Sequence, residues 1–266
     1  MKKASGNGMR YPNLKKYGFS ERFELEASFY EGLYPARVTE QHRNIYRVIC
    51  EDGELQAEVS GKLQYAAECT MDFPAVGDWV MIDRIDGNSG SVMIRSILRR
   101  KSFFARRAAG GKEDVQIVAA NVDTIFICMS LNTDFNLRRL ERYMSIAWDS
   151  MATPVIVLTK SDLCDDIEDK IREVSSVSAG ADIMICSNAE ERGIDAVYRY
   201  IEEGKTIAFI GASGVGKSTL INRLMGREVL ATKEIRESDD RGRHATRHTA
   251  SCFYCLRAEW SSIRPG

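Results

Sequence analysis

Gly211-Ala212-Ser213-Gly214-Val215-Gly216-Lys217-Ser218-Thr219 is the stretch that decides the fold. Ahead of it, Thr206-Ile207-Ala208-Phe209-Ile210 is an apolar run of strand type. Behind it, Leu220, Ile221 and Leu224 give Lys217 to Met225 the apolar spacing of a helix. A G-x-x-x-x-G-K-S turn from strand to helix is the context in which backbone N–H groups cradle phosphate. Gly211, Gly214 and Gly216 let those groups approach oxygen without a Cβ in the way, and the helix N-terminus adds partial positive charge. Lys217 is placed to reach β- and γ-phosphates, and Ser218 to ligate Mg²⁺.

A second motif lies upstream. Pro154-Val155-Ile156-Val157-Leu158 reads as a buried parallel strand, and Thr159-Lys160-Ser161-Asp162 follows at its C-terminal end, where open α/β sheets bind ligands. The Asp162 carboxylate accepts from guanine N1–H and N2–H₂, donors that adenine lacks, and Lys160 can lie along the base plane. Asn is usual at the first place of this motif, so Thr159 is a departure. Asp182-Ile183-Met184-Ile185-Cys186 is a further strand, and Ser187-Asn188 at its end takes the place of the supporting guanine loop, or of a plain turn. In most P-loop GTPases the phosphate loop opens the domain. Here it follows the base-reading motif, the order expected of a circular permutation.

The segments around these motifs alternate strand and helix. Asp123 to Ser130 is strand-like; Leu137, Leu140, Tyr143, Met144 and Ala147 share one helical face. Ile167, Ile171 and Val174 form another, and Ile194, Val197 and Ile201 a third. The expectation is a doubly wound parallel sheet, with Glu203-Gly204 joining the old last helix to the old first strand.

The N-terminal part reads differently. Ala36-Arg37-Val38, Asn44 to Cys50, Leu55 to Val59, Pro74 to Ile82 and Ser91 to Ile94 are short strands between turns. About five strands in this span suggest a small all-β barrel such as the OB-fold. Leu98 to Arg107 interleaves five cations with Phe103 and Phe104 and suits either RNA contact or a solvated linker.

With 266 residues the chain can hold two cores, and a formal net charge of −1 puts any nucleic-acid surface in a local patch. Seven scattered cysteines point to reduced, cytoplasmic usage, and no apolar run approaches a membrane span. Met9 is an alternative start.

The chain resembles the circularly permuted GTPase family that assists small ribosomal subunit maturation (RsgA). The likeness runs from Tyr17 to Tyr254. It rests on Tyr34-Pro35-Ala36-Arg37-Val38, Pro74 to Val80, Ala119 to Asp123, Leu158 to Leu163, the phosphate loop, and Gly242 to His248. The resemblance implies an N-terminal OB-fold, a permuted P-loop GTPase core, and cytoplasmic GTP hydrolysis stimulated by the 30S subunit. It also implies GTP or GDP with Mg²⁺, contacts to 16S rRNA and a monomer without membrane attachment. The expected division is an extension over 1–35, a barrel over 36–105, a GTPase domain over 106–254 and a tail over 255–266. Arg227 to His248 fits switch I, with Thr246 sensing Mg²⁺ and γ-phosphate, although family members usually carry Thr where Ala245 stands. His244 either positions water or faces solvent or RNA. Arg241 and Arg243 would counter phosphate charge of either nucleotide or rRNA.

Cys255 to Gly266 contains neither the D-x-x-G motif nor the zinc-binding domain that the family places after switch I, and Cys252-x-x-Cys255 alone does not make a zinc site. One coding of this tail, shifted by one base, reads LPSGGVVIDTPG. The expectation is therefore a frameshift near Tyr254, an open edge along the phosphate-loop strand, and poor or absent GTP hydrolysis. Two other readings stand beside the GTPase: a P-loop ATPase or kinase, which Asp162 opposes, and a non-catalytic RNA-binding remnant.

Overall fold

The computed structural model describes residues 11–42, 44–86, 90–107, 115–132, 134–178, 180–190, 192–228 and 254–256. The chain forms two compact units: residues 1–100 with 105–121, and residues 101–104 with 122–266.

The first unit starts with two short helices, α1 (Pro12–Lys15) and α2 (Glu21–Ala27). They lie inside the segment read from sequence as an extension. Next come β1 (Tyr34–His42), β2 (Ile45–Cys50), β3 (Gly53–Val59), α3 (Gly61–Ala66), β4 (Trp79–Ile82) and β5 (Val92–Ile97). The five strands close into a barrel in the order β1-β2-β3-β5-β4, the all-β element that the sequence pattern calls for. A bulge in β1 between Val38 and Glu40 bends the strand as closure requires. Val38, Tyr46, Val48, Ala57, Val80, Ile82, Val92 and Ile94 point inward and form its core.

Strand β4 is buried along its whole length because it has two apolar neighbours. Its outer face, Trp79 and Met81, packs with Leu98 and with Leu14, Phe19, Phe23 and Ala27 of the N-terminal helical segment. The Phe19 and Trp79 rings lie 4.7 Å apart. That double burial is why 79–82 reads as a continuous apolar run rather than an alternating one.

Two cations of the Leu98 to Arg107 segment are spent on structure. Arg100 pairs with the fully buried Asp78 at 2.7 Å and donates to Met71 O and Phe73 O, within the first unit. Lys101 pairs with Asp123 at 2.6 Å within the second. The RNA-facing reading of this segment therefore loses both. Strands β6 (Phe103–Arg107) and β7 (Val115–Ala120) form a two-stranded ribbon. In the first unit Gly77, at φ +92°, sits where a Cβ would come within 2.1 Å of Ala120 O, and Asn121 Nδ2 donates to Gly77 O.

The second unit carries β8 (Thr124–Ser130), α4 (Leu137–Asp149), β9 (Thr153–Thr159), α5 (Ile167–Val177), β10 (Asp182–Ile185), α6 (Ile194–Tyr198), β11 (Ile207–Gly211), α7 (Lys217–Leu224) and β12 (Tyr254–Leu256). The sheet order is β10-β9-β8-β11-β12. The first four strands run parallel. Every residue of β8 and β11 is buried, as strands covered on both faces must be. Helix α4 is capped by Asn136, whose side chain accepts from Arg139 N, and buries Leu140, Tyr143, Met144 and Ala147 as its periodicity requires.

Two expectations need correction. Helix α6 ends at Tyr198, and Ile201 reaches the core from the turn beyond it. The edge of the phosphate-loop strand is not open over Ile207–Phe209: β12 pairs antiparallel with it there, Ala208 facing Cys255. Backbone N–H and C=O groups on that edge take strand partners whatever the direction of the added strand.

Candidate guanine-nucleotide site

The C-terminal ends of β9, β10 and β11 bring three loops together. The phosphate loop begins at Gly211, the last residue of β11, whose φ is +152°. A Cβ there would lie 2.3 Å from Cys128 O, so only glycine lets this strand pack on β8 at the turn. Gly214 and Gly216 also have positive φ, and Gly216 is the residue from which α7 starts. Lys217 is buried in the curl of the loop, its Nζ donating to Gly211 O at 2.9 Å and Ala212 O at 2.5 Å. Ser218 is half-buried beside it, and Ser213 and Thr219 are exposed. A hydroxyl at Ser218 is a hard oxygen donor of the kind Mg²⁺ takes with nucleotide phosphates, so the residues fit that ion. Among the described residues, no group of three or more His, Cys, Asp or Glu could hold a metal ion.

The base-reading loop leaves β9 with Lys160 in the left-handed region, φ +57°, which turns the chain sharply. Ser161 N then donates to Cys186 O, tying this loop to the end of β10. Asp162 is exposed, and Ser187 Oγ donates to its Oδ1 at 2.5 Å. Ser187 is itself fixed: it is fully buried, its backbone bridges to Arg192, and its Oγ accepts from Glu190 N. One carboxylate oxygen is thus oriented by the protein while the group as a whole stays open to a ligand.

Thr159 is fully buried and donates from Oγ1 to Val215 O at 2.5 Å. One hydrogen bond therefore fastens the base-reading loop to the phosphate loop. The next carbonyl along, Gly216 O, accepts from Asn188 Nδ2 at 3.3 Å. Asn188, which the sequence places beside Ser187 in the supporting guanine loop, thus touches the phosphate loop as well. Its signal was a carboxamide in a turn directly after a strand of the same sheet.

Burial pushes the thiols of Cys128, on β8, and Cys186, just beyond the end of β10, up to about 12. They are spacers in the floor of the site rather than nucleophiles. The switch candidates His244 and Thr246, with Arg241 and Arg243, lie outside the described residues, as does Cys252. Among the described residues no helix is long and apolar enough to cross a membrane.

Comparison with known proteins bears on the family and the fold. The RsgA GTPase family model matches residues 97–255. The small ribosomal subunit biogenesis GTPase RsgA 2 of Lactiplantibacillus plantarum is 50% identical over 234 residues, covering 88% of this chain and 66% of that protein. Its counterpart from Methanosarcina acetivorans is 42% identical over 231 residues, covering 86% of this chain and 61% of that protein. The chain spans about two thirds of the length of these relatives. The crystal structure of YjeQ from Thermotoga maritima superposes with a TM-score of 0.58 at 26% identity, over 71% of this chain and 64% of that one. That of YloQ, described as a circularly permuted GTPase, gives 0.53 at 20% identity, over 73% and 65%, and shares the fold. The base-reading motif before the phosphate loop, the parallel sheet and the barrel have one common explanation: the chain belongs to the RsgA GTPase family.

Proposed function

We propose that this chain binds guanine nucleotides with Mg²⁺ and takes part, as a member of a GTPase family, in the maturation of the small ribosomal subunit. The observation that carries the nucleotide reading is the Thr159–Val215 hydrogen bond, which makes the base-reading and phosphate-binding loops one cluster. Asp162, oriented by Ser187, reads N1–H and N2–H₂ of the base. The phosphate-loop N–H groups and Lys217 hold the β- and γ-phosphates, after Lys217 exchanges carbonyl partners for phosphate oxygens. Ser218 and Thr246 would hold Mg²⁺, which would supply positive charge to offset that of the phosphates. His244 positions the attacking water.

The names of the relatives supply the ribosomal assignment. In this reading the chain works in the cytoplasm as a monomer and meets 30S subunits through 16S rRNA. Exposed aromatics of the first unit, Phe29 and Tyr65, suit stacking on unpaired bases. A competition titration tests the nucleotide reading: unlabelled GDP and GTP, against ADP and ATP, displace a fluorescent GDP in the presence of Mg²⁺. Displacement by guanine nucleotides at concentrations at least a hundredfold below adenine ones is expected. Equal displacement by ADP would make the site a general P-loop nucleotide site.

A further inference from the structure

Thr159 and Asn188 meet the phosphate loop at consecutive carbonyls, Val215 O and Gly216 O. Both crowd one spot: a Cβ built on Gly216 would lie 3.2 Å from Asn188 Nδ2 and 4.0 Å from Thr159 Oγ1. They are not equivalent there. A threonine hydroxyl has a single hydrogen, and at 2.5 Å Val215 O claims it. Thr159 is also fully buried, so it serves the loop and cannot touch a base. A carboxamide has two N–H donors and an acceptor oxygen. Asn188 is half-buried, and among the described residues its side chain makes one hydrogen bond, to Gly216 O. Its Oδ1 is buried without a partner. That oxygen, an acceptor, calls for a donor such as ordered water, while the second amide N–H is left over for an acceptor on a ligand at the rim of the site.

We propose that Asn188 reads the N7 edge of the bound guanine, supplying the second amide hydrogen as donor and thereby doing what a threonine at 159 cannot. This rests on the guanine reading above. Guanine offers two acceptors on this edge, N7 and O6. O6 lies next to N1, on the side that Asp162 faces. N7 belongs to the ring that carries the ribose, and so lies toward the phosphates. Asn188 is held against the phosphate loop by Gly216 O, which puts its free N–H on the N7 side. The orientation of the amide is fixed by the same bond, since turning it over would set Oδ1 against a carbonyl oxygen.

The test removes the acceptor and the donor in turn, using the full chain with Mg²⁺. GDP and 7-deaza-GDP, in which C–H replaces N7, are titrated against the unaltered protein and against Asn188→Ala; Asn188→Ser stands in if the alanine variant does not fold. The unaltered protein should bind 7-deaza-GDP about tenfold more weakly than GDP. N188A should bind GDP more weakly and show no further loss with 7-deaza-GDP. A residue that only braces the phosphate loop would lower both affinities and leave their ratio unchanged. An unaltered protein that does not discriminate, or an N188A variant that still does, overturns the proposal. Asp162→Asn separates this from the reading beneath it: an unchanged GDP affinity in D162N overturns guanine recognition itself, and the Asn188 assignment with it. Loss of GDP binding in D162N leaves the N7 result to stand or fall alone.

Discussion

Two carboxylates, Asp78 in the first unit and Asp162 in the second, are held by similar hydrogen bonds for opposite purposes. Asp78 is fully buried and closed: Arg100 donates to both of its oxygens, Ala75 N adds a third bond, and the guanidinium spends two further donors on Met71 O and Phe73 O. Asp162 is exposed and open. Ser187 orients it with one bond, and Asn188 next door keeps a buried oxygen unmatched. A polar cluster that satisfies itself holds a fold together. One that is oriented but left incomplete is prepared for a ligand.

The comparison breaks first at Arg100. Replacing it by alanine leaves the Asp78 carboxylate buried without its counter-charge, a change that costs about 3–5 kcal/mol in such pairs. The R100A variant should lose that much in urea unfolding of the first unit while its GDP affinity at low temperature stays within twofold of the unaltered protein. A full loss of GDP binding without loss of stability would reverse the roles assigned to the two clusters.

The opposite pattern is expected at Ser187. Serine to alanine removes the hydrogen bond to the Asp162 carboxylate, together with the one from Glu190 N, and frees Asp162 to swing, which should weaken GDP binding by about 1.5 kcal/mol, roughly tenfold. Because Ser187 is buried and Glu190 N loses its acceptor, stability should fall by about 1 kcal/mol, well short of the loss in R100A. Calorimetric titration and a melting curve on the same sample check both halves.

A smaller effect belongs to the floor of the site. Cys128 and Cys186 are protonated up to about 12 in the folded protein, against an ordinary value of 9.0. The folded state thus keeps protons that the unfolded state releases. This contribution to stability is whole below pH 9 and is lost gradually as pH rises from 9 toward 12. Urea midpoints should be flat from pH 7 to 8.5 and fall above it. At pH 8 an alkylating reagent should modify exposed Cys69 well before the two buried thiols. Equal labelling of all three would contradict a closed floor.

The same contrast explains what was legible in the sequence. Gly211, Gly214 and Gly216 announce themselves because backbone geometry forces the residue type. The apolar strands β8, β9 and β11 announce the parallel sheet because burial on both faces leaves no alternation. The five barrel strands were readable from their turns. The helices α1 and α2 were not: they are short, and only Trp79 and Met81 on the far side of β4 give their apolar residues a reason to fold back. The duty of Arg100 was hidden as well, since a cation among cations reads as surface until its buried partner, 22 positions away, is in place. Asn188 was placed beside Ser187 by sequence, but its bond was not legible because it depends on Gly216, 28 positions later, and on the hydroxyl at 159. Contacts across long sequence separations carry no local pattern.

In the function proposed above, an oriented, incomplete Asp162 selects the nucleotide. Asp162→Asn tests it most directly, with GDP and xanthosine diphosphate titrated against both proteins. An amide presents an N–H where the carboxylate presented an acceptor, and xanthine presents a carbonyl where guanine presents an amine. The D162N variant should therefore lose GDP by about a hundredfold, gain xanthosine diphosphate, and unfold at the same temperature as the unaltered protein. Unchanged GDP affinity, or equal loss of both nucleotides in a variant that still folds, would contradict the account.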